Sequence, residues 1–246
     1  MAEQYNNLYL SIVIPAYNED ENIGPTLLDI AQYLGGKSYT YEIIVVDDGS
    51  GDKTAELATV QGKVFSHFNL LRHSPNQGKG YAVKEGMFAA RGEFILFMDA
   101  DNSTRINQID NFISALTGGY DIAIGSRRIQ GAVIKEYQPF ARRFLGNIYI
   151  GLSNLILGTN INDYNCGFKL FKKEAAKAIF EKLTRNDWSF DSELIYLAKK
   201  LGCKIKEVPV TWQDKQKTSK VKPFKDGVKS FCSLLKIRFY KYPSNS

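Results

Sequence analysis

Short apolar runs alternate with amphipathic stretches along the first half of the chain. The runs are rich in Ile, Val, Leu and Phe at successive positions, as strands buried on both faces are. They predict strands over residues 10–15, 42–47, 69–72, 94–99 and 121–125. Apolar spacing near the helical period between the runs predicts helices over residues 21–34, 53–60, 80–90 and 106–116. This alternation predicts an α/β fold with a mostly parallel sheet.

The second half of the chain is less regular. Its patterns predict a strand over residues 207–212 and helices over residues 139–157, 173–183, 191–201 and 225–242. A length of 246 residues suits one α/β domain with a buried core. We therefore expect a single catalytic domain, residues 1–212, followed by a basic loop and an amphipathic C-terminal helix, residues 213–246.

Positive charge is concentrated near the C-terminus. The chain has 32 basic and 26 acidic residues, and the segment 215–241 holds nine of the basic and one of the acidic residues. The rest of the chain therefore carries 23 basic and 25 acidic residues, a formal charge of −2. A basic tail is typical of proteins that bind nucleic acid, anionic lipid or a phosphorylated substrate.

Polar side chains cluster where the predicted strands end. Open parallel sheets bind ligands beyond the carboxyl ends of their strands. Acids or arginines follow the first, second, fourth and fifth predicted strands, in residues 15–19, 47–50, 99–101 and 125–128. We expect these four strand ends to converge on one crevice.

Asp99 and Asp101 follow directly after the apolar run 94–98. Two carboxylates at a strand exit can hold Mg²⁺ or Mn²⁺, which prefer oxygen ligands and share them with substrate phosphates. Such an ion would offset the charge of a nucleoside diphosphate leaving group. The alternative is that one or both acids cap the helix that begins near Ile106.

Two further segments have two interpretations each. Asp47 and Asp48 precede Gly49 and Ser50, a sequence typical of a turn before a helix. One aspartate is expected to serve that turn, and the other to accept hydrogen bonds from a base or ribose. The segment 76–80, Asn-Gln-Gly-Lys-Gly, either binds phosphate through its glycines and the helix N-terminus or is an ordinary helix start.

Four of these segments together resemble glycosyltransferase family 2, whose members have the GT-A fold. They are residues 14–19, 46–50, 76–80 and 99–101, in the family's order. The resemblance implies a Rossmann-like domain that binds a nucleotide-sugar donor, with Asp99 and Asp101 as ligands of the metal. It implies donor contacts from Pro15, Ala16, Tyr17, Glu19, Asp48, Gly49, Lys79, Asp99, Ala100 and Asp101.

The second half of the chain is similar to the polyprenyl-phosphate glycosyltransferases and looks closest to those that make dolichyl-phosphate glucose. The segments that carry this likeness are residues 125–127, 142–145, 166–171, 188–194, 207–212 and 219–220, together with Asp163. It implies transfer of a hexose to a polyprenyl or dolichyl phosphate. UDP-glucose is the favoured donor, and GDP-mannose and UDP-N-acetylhexosamine remain alternatives.

A phosphate acceptor agrees with the scarcity of general bases. The chain has two histidines, and neither lies in these motifs. A phosphate monoester has a second pKa of about 6 and is largely a dianion at neutral pH, so it needs cations rather than a base. Arg127, Arg143 and Lys220 are expected to hold this phosphate, and with Asp101 they form the expected catalytic set.

Other interpretations of the same residues stay open. Arg127 or Arg128 can instead balance charge by pairing with an acid of residues 99–101. Asp191 and Glu193 are expected to order a loop, but they would supply the base in a family 2 transferase that acts on a soluble or polysaccharide hydroxyl. A nucleic-acid partner is not expected, because the acidic strand ends and the absence of a nucleic-acid motif contradict it.

The tail also suits a lipid substrate. Five basic residues of the segment 225–242 surround a helically spaced apolar set, Val228, Phe231, Leu234, Leu235 and Phe239. This pattern is typical of helices that lie on anionic membrane surfaces, and residues 139–157 are expected to do the same. The alternative is that both stripes pack on the domain. No run reaches the ~20 apolar residues of a membrane span. The three cysteines have neither zinc-site nor disulfide spacing, which favours a reducing cytosol. We therefore expect a cytoplasmic protein bound peripherally to the cytosolic face of a membrane.

Overall fold

Strands and helices alternate along most of the chain in the computed structural model, which describes residues 8–135, 140–213 and 223–243. The strands are β1 (Leu10–Ala16), β2 (Tyr41–Asp47), β3 (Phe68–Arg72), β4 (Phe94–Met98), β5 (Ile122–Ser126), β6 (Val133–Ile134), β7 (Phe168–Lys172), β8 (Ile205–Pro209) and β9 (Thr211–Trp212). The α-helices are α1 (Asp20–Leu34), α2 (Thr54–Gly62), α3 (Lys79–Ala89), α4 (Ile109–Thr117), α5 (Phe140–Leu157), α6 (Lys173–Lys182), α7 (Phe190–Lys200) and α8 (Pro223–Phe239).

Seven strands form one sheet in the order β3-β2-β1-β4-β7-β5-β8. All neighbouring pairs are parallel except those of β7, which runs antiparallel to β4 and β5. The predicted α/β fold with a mostly parallel sheet is therefore confirmed. The carboxyl ends of β1, β2 and β4 lie side by side. The predicted convergence is therefore confirmed for these three of the four polar strand ends.

Strand β7 is absent from the sequence-based prediction. It lies between β4 and β5 and runs antiparallel to both, so the carboxyl ends of β4 and β5 lie at the same edge of the sheet with one strand between them. The strand has the sequence Phe-Lys-Leu-Phe-Lys, in which the buried Lys169 interrupts an otherwise apolar run. A lone antiparallel strand also breaks the strand–helix alternation on which the prediction depends.

The predicted strand over residues 207–212 is divided in two. β8 joins the large sheet, whereas β9 pairs with β6 in a separate two-stranded sheet. Pro209 ends β8 because proline has no N–H to donate to the ladder. Val210 then donates its backbone N–H to the carbonyl of Ser126 at 3.2 Å.

Apolar side chains cover both faces of the large sheet, as expected for buried parallel strands. On one face, Val13 and Phe97 pack with residues of α3, α6 and α7. On the other face, Ile12 and Leu96 pack with residues of α1, α2 and α4. The central strands are thus held rigidly, and the loops at their carboxyl ends are fixed in place.

Helices α5 and α8 pack against each other beside this sheet. Leu234 and Ile237 of α8 are completely buried in the core, together with Leu157 of α5. The alternative that the tail's apolar positions pack on the domain is therefore correct for Leu234. Within the three described ranges, none of the helices combines the length and the apolarity needed to cross a bilayer.

Candidate active site

The turn after β2 is held by both of its aspartates. Asp47 Oδ1 accepts the backbone N–H of Ser50 at 3.1 Å, and Gly49 has a φ of +79° that favours glycine. The carboxylate of Asp48 accepts the backbone N–H groups of Gln77 and Gly78, each at 2.8 Å. Each oxygen of Asp48 thus accepts one hydrogen bond from the segment 76–78, and a further bond from this aspartate to a base or ribose stays a prediction.

The start of α1 is tied to the same turn. Asn18 donates its backbone N–H to Ser50 Oγ at 2.9 Å, and Glu19 donates its own to Thr54 Oγ1 at 2.8 Å. Tyr17 is exposed at this rim, whereas Pro15 and Ala16 are buried inside β1. The side chain of Tyr17 can therefore contact a ligand at this rim, whereas the side chains of Pro15 and Ala16 cannot.

An open groove of about 420 Å³ lies beside this turn. It is lined by Gly49, Ser50, Arg72, His73 and Ser74. The Arg72 Nε atom lies 3.0 Å from Asp47 Oδ2, and this arginine side chain is largely exposed. The groove offers a cation and backbone groups to a planar polar ligand.

Asp99 lies at the end of β4 against glycine. Its backbone N–H donates to the carbonyl of Gly167 at 2.9 Å, and its Oδ1 accepts the ammonium of Lys79 at 2.7 Å. A Cβ added at Gly167 would lie 1.9 Å from Asp99 Oδ2. The carboxylate therefore lies in a space that only glycine leaves open.

Asp101 is the second acid of this strand end. Its Oδ1 accepts the backbone N–H of Ser103 at 2.9 Å. The helical turn that begins at Ile106 has no side-chain cap, so the alternative that these acids cap it is wrong. Burial, and then the negative charge of Asp99, raises the pKa of Asp101. Added positive charge between the two carboxylates would relieve this repulsion.

Lys79 supplies part of that positive charge. Burial alone would lower the pKa of Lys79, but the carboxylates of Asp99, Asp191 and Asp101 outweigh burial and raise it. Its ammonium lies 4.6 Å from the ring centroid of Trp188, whose side chain is 73% exposed. Lys79 is thus a permanent cation at the strand end, covered by an aromatic ring.

The carboxylate oxygens of Asp99 and Asp101 supply only part of the ligand set of a hard divalent cation. Two carboxylate groups are fewer ligands than an all-protein site needs. No group of three or more His, Cys, Asp or Glu side chains that could hold a metal occurs among the residues that the structure describes. The two aspartates therefore fit Mg²⁺ or Mn²⁺ that completes its coordination with oxygens of a bound diphosphate and water.

The glycines of the segment 76–80 serve a protein contact. A Cβ at Gly78 would lie 2.4 Å from the carbonyl oxygen of Asn186, and one at Gly80 would lie 2.4 Å from that of Arg185. Gly80 also donates its backbone N–H to Asn186 at 2.7 Å. Of the two interpretations of this segment, the helix start is confirmed, because α3 begins at Lys79. The close backbone approach at both glycines is to the loop 184–189, and phosphate binding here stays a prediction.

A buried ion pair lies behind the two strand-end acids. The Lys169 ammonium, completely buried, donates to Asp191 Oδ1 at 2.5 Å and to the carbonyl of Cys166 at 2.7 Å. Burial raises the pKa of Asp191, and the charges of Lys169 and Lys79 oppose that effect. The sequence analysis assigned no role to Lys169. The sequence did contain a signal, because a lysine inside an apolar run is rarely buried without a charged partner. Lys169 could therefore have been predicted to pair with a buried acid.

Arg127 makes a bidentate ion pair, but its partner is Asp163. Its Nε and Nη2 atoms donate to the two carboxylate oxygens at 2.7 and 2.8 Å. Burial alone would raise the pKa of Asp163, but the arginine outweighs it and lowers the pKa. The alternative that Arg127 pairs with Asp99 or Asp101 is wrong for the described contacts. Asp163 belongs to the motifs of the second half, but the sequence analysis assigned it no role.

Arg127 and Arg143 each lie within electrostatic range of Arg128 near the end of β5, and we call these three residues the arginine cluster. Burial, and then the charges of Arg127 and Arg143, lowers the pKa of Arg128. Arg128 donates to Asn147 Oδ1 of α5, and Arg143 is exposed near the start of the same helix. The structure thus places the two predicted residues Arg127 and Arg143 each near Arg128, which was not among the predicted site residues. Lys220 lies outside the described residues.

Glu193 is completely buried in the first turn of α7. Its Oε2 accepts the backbone N–H groups of Thr184 and Arg185 at 2.9 and 2.7 Å, and its Oε1 accepts the Thr184 hydroxyl at 2.6 Å. These bonds fix the loop 184–189, which packs on Gly78 and Gly80. A carboxylate with so many internal partners is not available as a general base.

Residues 11–180 match the family described as "Glycosyl transferase family 2". The chain is 36% identical over 249 residues to the dolichyl-phosphate beta-glucosyltransferase of Dictyostelium discoideum, covering 95% of this chain and 75% of the relative. It is 34% identical to the Homo sapiens dolichyl-phosphate beta-glucosyltransferase, covering 93% and 74%. The structure of glucosyl-3-phosphoglycerate synthase from Mycobacterium tuberculosis with Mn²⁺, uridine diphosphate and glucosyl-3-phosphoglycerate has a TM-score of 0.68 at 17% identity, covering 94% of this chain and 79% of that chain.

Proposed function

Because the chain belongs to glycosyltransferase family 2 and has the GT-A fold, as the sequence motifs predicted, we propose that it transfers glucose from UDP-glucose to dolichyl phosphate or a related polyprenyl phosphate. The observation that carries the proposal is the likeness, over more than nine tenths of the chain, to relatives named dolichyl-phosphate beta-glucosyltransferase. The site supports it through strand-end acids on one side and an arginine cluster on the other.

The donor's place is at the carboxyl ends of β1, β2 and β4. The groove beside Gly49 and Arg72 suits the nucleoside, and the strand end of Asp99 suits the diphosphate. Bound by Asp99, Asp101 and diphosphate oxygens, Mg²⁺ or Mn²⁺ would neutralise charge on the leaving group. The bound Mn²⁺ and uridine diphosphate of the M. tuberculosis structure support this choice. Lys79 adds a fixed positive charge beside Asp99.

The acceptor is the nucleophile. An oxygen of the lipid phosphate dianion forms a bond to the anomeric carbon of glucose, while the bond from that carbon to the diphosphate breaks and UDP leaves. The configuration at that carbon is inverted by this single displacement. No base is needed, because the phosphate is already ionised. Arg128 and Arg143, with Lys220 from the basic loop, would hold the acceptor phosphate, and Arg127 would contribute the part of its guanidinium not paired with Asp163.

The membrane face of the protein is assigned to α5 and α8. Phe144, Ile148 and Leu155 of α5 are exposed in one stripe, and Phe231, Leu235 and Phe239 of α8 form another. Basic side chains accompany these stripes, as in helices that lie at an anionic bilayer surface. The arginine cluster adjoins the start of α5, which would place the acceptor phosphate at headgroup level on the cytosolic face.

A donor–acceptor matrix tests the proposal. UDP-glucose, GDP-mannose and UDP-N-acetylglucosamine, each labelled with ¹⁴C in the sugar, would each be offered with short-chain polyprenyl phosphate, with and without Mg²⁺ or Mn²⁺. We expect labelled glycolipid only with UDP-glucose and metal. The variant Asp101→Asn should lose at least about 100-fold in rate, whereas Asp110→Asn, a surface acid paired with Lys37, should be unaffected. Transfer to a soluble or polysaccharide hydroxyl but not to the lipid phosphate would overturn the proposal.

A further inference from the structure

The C-terminal residues return to the catalytic domain after α8. The Tyr242 hydroxyl donates to Glu193 Oε1 at 2.8 Å. The ring of Tyr242 lies beside the ring of Tyr196 on α7, with 6.0 Å between the centroids. Tyr242 thus connects the end of the chain to the carboxylate that fixes the loop 184–189.

That loop is the outer wall of the donor-side strand end. Its carbonyl groups at Arg185 and Asn186 pack on Gly80 and Gly78, the two residues that flank Lys79. Trp188 of the same loop covers the Lys79 ammonium, which is bonded to Asp99. The contacts run without a gap from Tyr242 through Glu193 and the loop to the acid that faces the diphosphate.

We infer that Tyr242 is a positioning residue for the donor site, through which the seating of α8 sets the placement of Lys79 and Trp188. The inference rests on the proposed function, because the donor of that reaction is the ligand concerned. On this inference, the C-terminal segment helps to shape the donor site in addition to its proposed contact with the membrane.

The hydroxyl of Tyr242 is separable from the packing that holds the tail. Leu234 and Ile237 anchor α8 in the core, Arg238 Nη1 donates to the Tyr196 hydroxyl at 3.1 Å, and Lys182 donates to the carbonyl of Pro243 at 2.6 Å. Burial, and then the negative charge of Glu193, raises the pKa of Tyr242, so its hydroxyl keeps its proton. Loss of this one O–H therefore perturbs the link to Glu193 and leaves the anchoring contacts in place.

The experiment compares Tyr242→Phe with Tyr240→Phe, a neighbouring hydroxyl with a partly exposed ring. Hydrogen exchange at the Thr184 and Arg185 amides would be measured without ligand, and UDP-glucose affinity would be measured by calorimetry with Mn²⁺. In Tyr242→Phe we expect exchange to be faster and the donor dissociation constant to rise, each by about threefold to tenfold, the effect of one hydrogen bond. The Michaelis constant for the lipid phosphate should match that of Tyr240→Phe, and the melting temperature should fall by no more than about 4 °C, the effect of one hydrogen bond in a domain of this size.

The outcomes separate this inference from the proposed function. Unchanged exchange in Tyr242→Phe, or equal losses for donor and lipid phosphate, would overturn the positioning role while leaving the reaction standing. Failure of the wild-type chain to bind UDP-glucose would overturn the proposed donor, and with it the donor half of this inference. Faster exchange together with a donor-specific loss would support both.

Discussion

At the scale of single residues, the site depends on small side chains as much as on charged ones. The Asp99 carboxylate lies where a Cβ on residue 167 would have to be. Gly78, with a φ of +103°, and Gly80 lie under carbonyl groups of the neighbouring loop. These glycines let two loops and a carboxylate meet without intervening side chains, and so fix where the charges lie.

Replacing Gly167 with alanine should disable the site while preserving the fold. The flexible end of the Asp99 side chain has to move away from the new methyl group, and a displacement of about 1 Å at such a site costs about 100-fold in rate. Steady-state transfer assays and thermal unfolding would be measured on the same preparation. Gly36→Ala is the matched control, because a Cβ at Gly36 meets nothing within 4 Å. A Gly167→Ala enzyme with normal activity would show that Asp99 need not lie where it does.

At the scale of elements, ion pairs join segments that the sheet alone leaves apart. Arg127 at the end of β5 is bonded to Asp163, which precedes β7, and Lys169 within β7 is bonded to Asp191 at the start of α7. Asp163 and Lys169 are both buried. Removal of one partner from such a pair is costly, because it leaves a charge without compensation.

Replacing Asp163 with asparagine should destabilise the protein in a pH-dependent way. The pKa of Asp163 is lower in the folded chain than its ordinary value of 3.8. Its charge therefore stabilises the fold above pH 3.8, and that contribution disappears as the pH falls through the lowered pKa. We expect a loss of about 3 kcal/mol at pH 7, the low end of the range for breaking a buried pair, because Arg127 keeps some exposure.

Urea unfolding at pH 7, 5, 4 and 3 would measure this difference between wild type and Asp163→Asn. The gap should be constant from pH 7 to 5 and should narrow below about pH 4. Asp110→Asn, which breaks a more exposed pair with Lys37, should cost less than about 1 kcal/mol and serves as the control. A gap that does not change with pH would mean that packing of the side chain, rather than its charge, stabilises this region.

Apolar periodicity predicted the elements well, but it could not predict how charged groups pair. Five predicted strands match β1 to β5 to within one residue at either end, because each is a local apolar run. β7 was missed because Lys169 obscures its pattern, and the partner that makes a buried lysine tolerable, Asp191, is distant in sequence. Distance in sequence also explains why the alternative for Arg127 named Asp99 or Asp101 instead of Asp163. For the same reason, Glu193 could be given a loop-ordering role without its partners.

At the scale of the whole molecule, positive charge and exposed apolar side chains occur in the same region, at α5 and α8. The positive excess of the sequence comes from the segment that contains α8, and α8 packs on α5 beside the arginine cluster. The acids that follow β4 and the arginine that follows β5 are separated in the sheet order by the single strand β7. The proposed donor and acceptor sites would therefore lie side by side across one strand.

The exposed stripe of α5 should determine attachment to vesicles. In the double variant Phe144→Ser and Leu155→Ser, two apolar side chains that are 54% and 79% exposed are lost. Each contributes about 1.5 kcal/mol when taken out of water, so partitioning onto anionic vesicles should fall more than about tenfold. Val60→Ser with Val64→Ser, which removes exposed apolar side chains at α2, is the control. Equal flotation of both double variants would exclude α5 from the membrane face.

The place of β7 in the sheet also affects how a newly made chain acquires its shape. β4 ends at Met98, yet the strand that covers its second edge does not begin until Phe168. Until then the nascent β1–β4 unit has an open strand edge, the kind of surface on which chains associate wrongly. Gly167 reaches Asp99 only when β7 docks on β4, so the donor site is expected to form only after that step. Nucleotide binding by a chain released from the ribosome would therefore report that β7 has docked, which helix content alone cannot do.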